Sequence, residues 1–181
     1  MRDLREDMTS ILLTEEEIRQ RVHQLGEEIS RDYDGKEPLF VGVLKGCFVF
    51  MADLMRQVTI PCSMDFMAVS SYGNATTTTG AVKINKDLSQ DIEGRHIVIV
   101  EDILDSGVTL SYLTGYLQNR KPASITIATL LDKPSRRRAP VYAKYAGFQV
   151  PDAFVVGYGL DFAEKYRNLP YIGILKPEIY S

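Results

Sequence analysis

Between residues 14 and 33, Ile18, Val22, Leu25, Ile29 and Tyr33 recur at helical spacing on one face, which predicts an amphipathic helix. Thr14 and Glu17 form a capping-box pattern at its start. The period then changes. Leu39-Phe40-Val41-Gly42-Val43-Leu44 is a short apolar run of strand length. Residues 47–56 return to helical spacing, with Phe48, Met51, Ala52 and Met55 on the expected apolar side. Residues 62–69 predict another strand. Ile97-Val98-Ile99-Val100 is wholly β-branched, as suits a strand buried on both faces of a parallel sheet. Leu110, Leu113, Thr114 and Leu117 then predict a helix, and Ile125 to Leu131 the next strand. Shorter strands are expected at 153–157 and 171–175.

Strand, loop, helix and strand across residues 97–131 make a βαβ unit. The class is α/β with a mainly parallel sheet, and a ligand is expected at the carboxyl ends of its strands. No internal repeat or linker divides the 181 residues, so one domain spanning 1–181 is expected. A chain of this length buries a sizeable core without staples. Its 45% hydrophobic and 25% charged residues argue against disorder. The net charge of −3 disfavours a non-specific nucleic-acid binder. The longest uncharged stretch, Phe66 to Val82, is rich in Ser, Thr, Asn and Gly and is no membrane span. The beginning, MRDLREDMTS, lacks the apolar core of a signal peptide. Cys47, Cys62, His23 and His96 are too scattered for a zinc site. The expectation is a reduced, cytoplasmic protein with neither nucleic acid nor membrane as partner.

Chemistry concentrates in Ile97 to Thr109, IVIVEDILDSGVT. A buried strand runs into Glu101 and Asp102, and Asp105, Ser106, Gly107, Val108 and Thr109 lead into a helix. Small residues allow a tight turn that gathers backbone N–H groups, and the helix start adds a positive dipole end, so the loop suits a phosphate. Carboxylates beside a phosphate repel it unless they serve sugar hydroxyls or a magnesium ion, which accounts for Glu101 and Asp102. Asp105 also stands where a helix N-cap could. GxxxxGK(S/T) is absent. Gly157 and Gly159 are only a fragment of GxGxxG, with Phe162 at its third glycine.

VIVEDILDSGVT resembles the phosphoribosyl-diphosphate (PRPP) signature of type I phosphoribosyltransferases. Leu44-Lys45-Gly46 is similar to that family's diphosphate-binding turn. Ser71-Tyr72-Gly73 with the Thr-rich stretch after it resembles the family's mobile loop, and Leu130-Leu131-Asp132-Lys133 resembles the strand end carrying a purine-reading lysine. The run from Val150 to Asp161, followed by Arg167, resembles the base-binding hood. Together they resemble the bacterial hypoxanthine (hypoxanthine-guanine) phosphoribosyltransferase family, over about residues 10–178. The fold implied is a mainly parallel central sheet flanked by helices, with a small hood from the N-terminal and about 150–181 segments.

The activity implied is transfer of phosphoribosyl from PRPP to a 6-oxopurine, with Mg2+ as cofactor. The resemblance implies that residues 105–109 cradle the 5′-phosphate and that Glu101 and Asp102 hold the ribose hydroxyls and a magnesium-bound assembly. It implies Asp105 as general acid/base at purine N7. Lys45, Gly46 and Arg167 are implied to bind diphosphate, with a peptide bond before Lys45 that is often cis in the family. Lys133 is implied to donate to purine O6, Phe154 to stack on the base, and Val155 to meet its edge. Asp161 is implied to meet a second magnesium ion and the base, and Ser71 and Tyr72 to begin a closing lid. The Arg136-Arg137-Arg138 run reads as a solvated loop or subunit contact. A homodimer or homotetramer is expected by the same resemblance. Two alternatives stay open: a PRPP-binding regulator on the same fold, and a xanthine-preferring enzyme.

Overall fold

The computed structural model describes residues 3–71 and 82–181. Its main sheet has six strands in the order β4-β3-β2-β5-β6-β7. They are β2 (Leu39–Leu44), β3 (Ser63–Ser71), β4 (Val82–Lys86), β5 (His96–Leu104), β6 (Ser124–Asp132) and β7 (Tyr145–Gln149). All neighbours run parallel except β4, which returns antiparallel to β3. From the centre the chain builds outward one way through β2 and β3, and the other way through β5, β6 and β7. The carboxyl ends of β2 and β5 therefore flank the switch point, where ligands of such sheets bind.

The two central strands are buried on both faces, as their unbroken apolar runs require. Phe40, Val98 and Val100 face a cluster with Ile18, Leu25, Phe50 and Leu54, from helices α1 (Glu15–Asp32) and α2 (Phe48–Gln57). Leu39, Val41, Ile97 and Ile99 face the other way, against Leu110, Leu113 and Leu117 of α3 (Val108–Gln118). This is strand alternation with a helix layer on each side. The capping box of α1 is formed: Glu17 N–H donates to Thr14 Oγ1 at 3.3 Å, and Thr14 N–H to Glu17 Oε2 at 2.8 Å.

The apolar side of α2 differs from the expected one. Phe50, Met51 and Leu54 are buried, whereas Phe48 and Ala52 are exposed. FVFMADLM is apolar around most of the helix, so spacing alone does not select a face; the turn that leads out of β2 does.

A second sheet of three antiparallel strands joins β1 (Met8–Leu13) to β9 (Ile172–Leu175), and β9 to β8 (Val155–Val156). The short helix α4 (Pro177–Tyr180) follows. The strands expected at 153–157 and 171–175 are thus present but shorter. Strands β1, β4 and β7 were not foreseen. Thr9, Ser10 and Ile11 are all exposed, so β1 carries no two-residue alternation to read. Among the described residues no helix is long and apolar enough to cross a membrane.

Candidate active site

Strand β5 continues past its apolar run, so Glu101 and Asp102 belong to the strand itself. Three residues, Asp105 to Gly107, then turn the chain into α3. The turn depends on Gly107. Its φ is +76°, and a Cβ there would lie 2.4 Å from Val141 Cγ1. Gly107 is also the N-cap, with no side-chain cap bond, so Asp105 does not cap this helix. The first N–H groups of α3 consequently lack intrahelical acceptors and stand at the positive end of its dipole. They adjoin a cavity of about 270 Å³ lined by Val43, Glu101, Asp102, Asp105, Ser106 and Thr109, among others.

Residues 133–141 hold that turn from behind. Lys133 N–H donates to Leu104 O at 2.9 Å, and Arg138 N–H to Ser106 O at 2.8 Å. Arg137 donates through Nε to Asp105 O at 3.1 Å and through Nη1 to Val141 O at 2.6 Å, and it pairs with Asp132. With these carbonyls taken, the loop is left to offer N–H groups to a ligand. Arg137 is therefore tied into the loop rather than solvated.

At the end of β2 the Leu44–Lys45 peptide is cis. Gly46 presses on Asp102, because a Cβ on it would stand 1.8 Å from Asp102 Oδ2. On its other side Gly159, with φ +100°, approaches so closely that a Cβ there would lie 2.3 Å from Gly46 O. Gly157 and Gly159 serve positive-φ turns and close approach rather than a dinucleotide motif. Arg167 donates to Gly159 O at 2.7 Å and pairs with Asp161 at 3.0 Å, while its Nε is buried without a hydrogen-bond partner. Lys45 Nζ lies 3.2 Å from Glu164.

Burial, and then the adjacent Asp102 charge, push the Glu101 carboxyl well above its ordinary range. Burial also raises Asp102, against hydrogen bonds from Glu101 and the Ile103 N–H and the attraction of Arg167. Two acids thus share the cleft floor, and among the described residues neither has a cation within salt-bridge distance. Cys47, next to the turn, is fully buried, and burial with the nearby Glu101 and Asp102 charges raises its thiol, so it is no ready nucleophile.

A second cavity, of about 440 Å³, abuts the first and shares Ile103 and Asp105 with it. Lys133, Phe154, Val155 and Asp161 line it. Lys133 is 7% exposed, and its Nζ donates to Ala153 O at 2.9 Å. Phe154 is 38% exposed and stacks on Tyr180 of α4, ring centroids 4.7 Å apart and planes 19° apart.

Residues 8–163 match the family model of the phosphoribosyl transferase domain. The chain belongs to the phosphoribosyltransferase family. Its relatives give the branch. The hypoxanthine-guanine phosphoribosyltransferase of Bacillus subtilis (strain 168) is 56% identical over 178 residues, 98% of this chain and 99% of that protein. The crystal structure of a hypoxanthine phosphoribosyltransferase from Staphylococcus aureus superposes with a TM-score of 0.96 at 52% identity, covering 98% of this chain and 97% of that one. A hypoxanthine-guanine phosphoribosyltransferase structure from Bacillus anthracis, with a HEPES molecule in its active site, gives a TM-score of 0.90 at 47% identity. It covers 93% of this chain and 99% of that one. The fold class expected from the sequence is therefore the observed one.

In this phosphoribosyltransferase most of the implied site residues fall into two adjoining groups, but Arg167 lines a different cavity, beside α1 and α2, and Lys45 lines neither of the two. Glu101, Asp102 and the 105–109 loop line the first cavity, close to Gly46. Lys133, Phe154, Val155 and Asp161 line the second. Asp161 does not join Glu101 and Asp102, since no three His, Cys, Asp or Glu side chains among the described residues gather as a metal cluster. Ser71 ends β3, and Tyr72 and the rest of the suggested lid lie outside the described residues. Of the other wall residues, Arg136 and Tyr180 lie outside the segments the sequence assigned to the site, whereas Ile103, Asp152, Ala153 and Leu160 lie inside them without a role of their own. Ile103 carried a signal, as the apolar residue between two groups of site acids; Arg136 and Tyr180 reach the cavity only through tertiary folding.

Proposed function

We propose that this protein transfers the 5-phosphoribosyl group from PRPP to hypoxanthine and/or guanine, giving IMP or GMP and diphosphate, as a purine-salvage enzyme. One observation carries the assignment to this site: the phosphate-loop cavity and the cavity holding Lys133 and Phe154 meet at Asp105 and Ile103. A ribose phosphate in the first and a purine in the second bring the anomeric carbon and the attacking ring nitrogen together at that junction.

The 105–109 loop binds the 5′-phosphate through the N–H groups of Ser106, Gly107, Val108 and Thr109. Lys45 and Gly46, through the backbone of their turn, and Arg167 take the diphosphate. Phe154 and Ile103 bracket the purine ring, and Val155 lies at its edge. Lys133 donates to O6, which accepts in hypoxanthine and guanine, whereas adenine presents an amine there and sets donor against donor. Asp105 takes or returns the N7 proton as the glycosidic bond forms. Two adjacent carboxyls on the cleft floor, with a donor set of oxygens, fit a divalent cation. Glu101 and Asp102 would hold Mg2+ and the ribose hydroxyls, and Asp161 would meet a second ion; a metal bound there would neutralise charge on the leaving diphosphate.

The direct test is diphosphate release with PRPP and Mg2+, comparing hypoxanthine, guanine, xanthine, adenine and uracil. Release with hypoxanthine or guanine but not adenine or uracil is expected. PRPP binding without release for any base points to a regulator instead. Release with xanthine alone shifts the substrate.

We further propose one phosphoribosyltransferase unit across 1–181, cytoplasmic, assembled as a homodimer or homotetramer. Phe48, 45% exposed beside a cavity of about 630 Å³ between α1, α2 and residues 158–170, supports self-association. Light scattering is expected to give a multiple of 20.4 kDa.

A further inference from the structure

Around the purine cavity four charges alternate in sign. Arg136 Nε stands 3.2 Å from Asp105 Oδ1, and Arg136 Nη1 stands 3.4 Å from Asp152 Oδ1. Lys133 Nζ completes the chain 3.8 Å from the same Asp152 oxygen. All four residues line the one cavity. Local structure explains why. Lys133 is the N-cap of a 3-10 turn, Pro134–Arg136, closed by Arg136 N–H to Lys133 O at 3.1 Å. In a 3-10 turn residues three apart eclipse, so Lys133 and Arg136 project to the same side.

An ion pair at a half-exposed arginine is ordinarily worth little. Here one oxygen changes that. Asp105 Oδ1 is sealed from solvent and receives no hydrogen bond, so Arg136 is its only cation within pairing distance among the described residues. Removing the guanidinium leaves that oxygen uncompensated in the wall. With Oδ1 engaged, Oδ2, which carries no hydrogen bond among the described residues, is free to meet a base.

We propose that Arg136 is a positioning residue for Asp105, and that through Asp152 it fixes the spacing between Asp105 and Lys133. These two groups are assigned to N7 and O6, adjacent positions on one edge of a 6-oxopurine. The chain Lys133–Asp152–Arg136–Asp105 acts as a caliper for that edge. The inference rests on the transfer reaction proposed for this site.

The test compares Arg136→Gln, Arg136→Lys, Asp152→Asn and Asp105→Asn, with hypoxanthine and PRPP varied in turn. For Arg136→Gln, kcat is expected to fall about tenfold or more, part of what a positioned acid/base contributes, with KM for PRPP within about twofold of the parent. Arg136→Lys restores most of kcat. Combining Arg136→Gln with Asp152→Asn costs little beyond Arg136→Gln alone, as expected for two links of one chain. Asp152→Asn, altered from the far end, raises KM for hypoxanthine rather than for PRPP. The proposal is overturned if Arg136→Gln keeps kcat within about twofold while Asp105→Asn has lost turnover. It is equally overturned if KM for PRPP rises as much as kcat falls, which places Arg136 in the phosphate loop's support. If Asp105→Asn keeps full turnover, the acid/base assignment itself falls, and the positioning role with it.

Discussion

Gly46→Ala isolates the meeting point of the diphosphate turn and the cleft-floor acids. A Cβ at residue 46 would sit 1.8 Å from Asp102 Oδ2 and 2.6 Å from its Cγ, against the 3.0 Å below which real Cβ contacts essentially never fall. The shortfall from that limit is about 1.2 Å, a contact that overpacked interiors do not absorb in place. The turn has little room to retreat, because Gly159 already crowds Gly46 O from the opposite side. Asp102 must therefore move, giving up the bond in which Ile103 N–H donates to its Oδ1 at 2.8 Å. Overpacking of this kind costs roughly 1–3 kcal/mol. Expressed at the transition state, that is roughly a 5- to 150-fold loss of kcat/KM for PRPP. The assay is steady-state diphosphate release with saturating hypoxanthine and varied PRPP, followed by the converse titration. KM for hypoxanthine is expected to stay put, since Lys133 and Phe154 line the other cavity. Unchanged kcat and KM for PRPP would refute the reasoning: either the turn yields freely, or Asp102 need not stand where it does.

Three further outcomes follow from equally local geometry. Gly115→Ala, in α3 with nothing within 4 Å of its added Cβ, is expected to raise stability by about 0.5–1 kcal/mol through helix propensity, with unchanged kinetics; a fall in melting temperature contradicts this. Lys133→Met is expected to raise KM for hypoxanthine by roughly 10- to 150-fold, the worth of a hydrogen bond to a charged group, while KM for PRPP holds; equal movement of both removes Lys133 from base reading. Asp65 is buried; burial pushes its carboxyl up, but bonds from Ser89 N–H and Phe66 N–H, both at 2.7 Å, and from Lys86 outweigh that and hold it below the ordinary 3.8. A carboxyl depressed on folding contributes stability above its unfolded value and loses it as pH falls through the folded one. Asp65→Asn should thus lower the melting temperature at neutral pH, with the gap to the parent closing below about pH 4; a pH-independent gap rejects the assignment.

Legibility in the sequence tracked how local each determinant is. Helix α1 and the strand cores of β2, β5 and β6 were readable because period and burial coincide: Ile18 to Tyr33 on one face, and Ile97 to Val100 buried on both. The phosphate loop was readable because its chemistry lies in consecutive residues. Helix α2 was misread because an almost uniformly apolar helix has no preferred face until the turn before it sets one. Strand β1 was invisible because its partner, β9, lies at the far end of the chain, and its exposed residues break alternation.

Arg136 and Arg137 show the boundary most clearly. Adjacent identical residues in a basic run give sequence reasoning no ground for separating them, and a solvated face is the default for such a run. The fold separates them. Arg137 turns inward to the carbonyls of Asp105 and Val141, and Arg136 turns to the Asp105 carboxylate. One arginine thus fixes the main chain of Asp105 and the next engages its side chain. What distinguishes them is the 3-10 turn begun by Pro134, which sets each residue's direction about its axis. Shifting that register by one residue would put a different member of the run in each place while leaving composition unchanged. The chemistry of this wall therefore resides in backbone geometry that residue types alone do not encode.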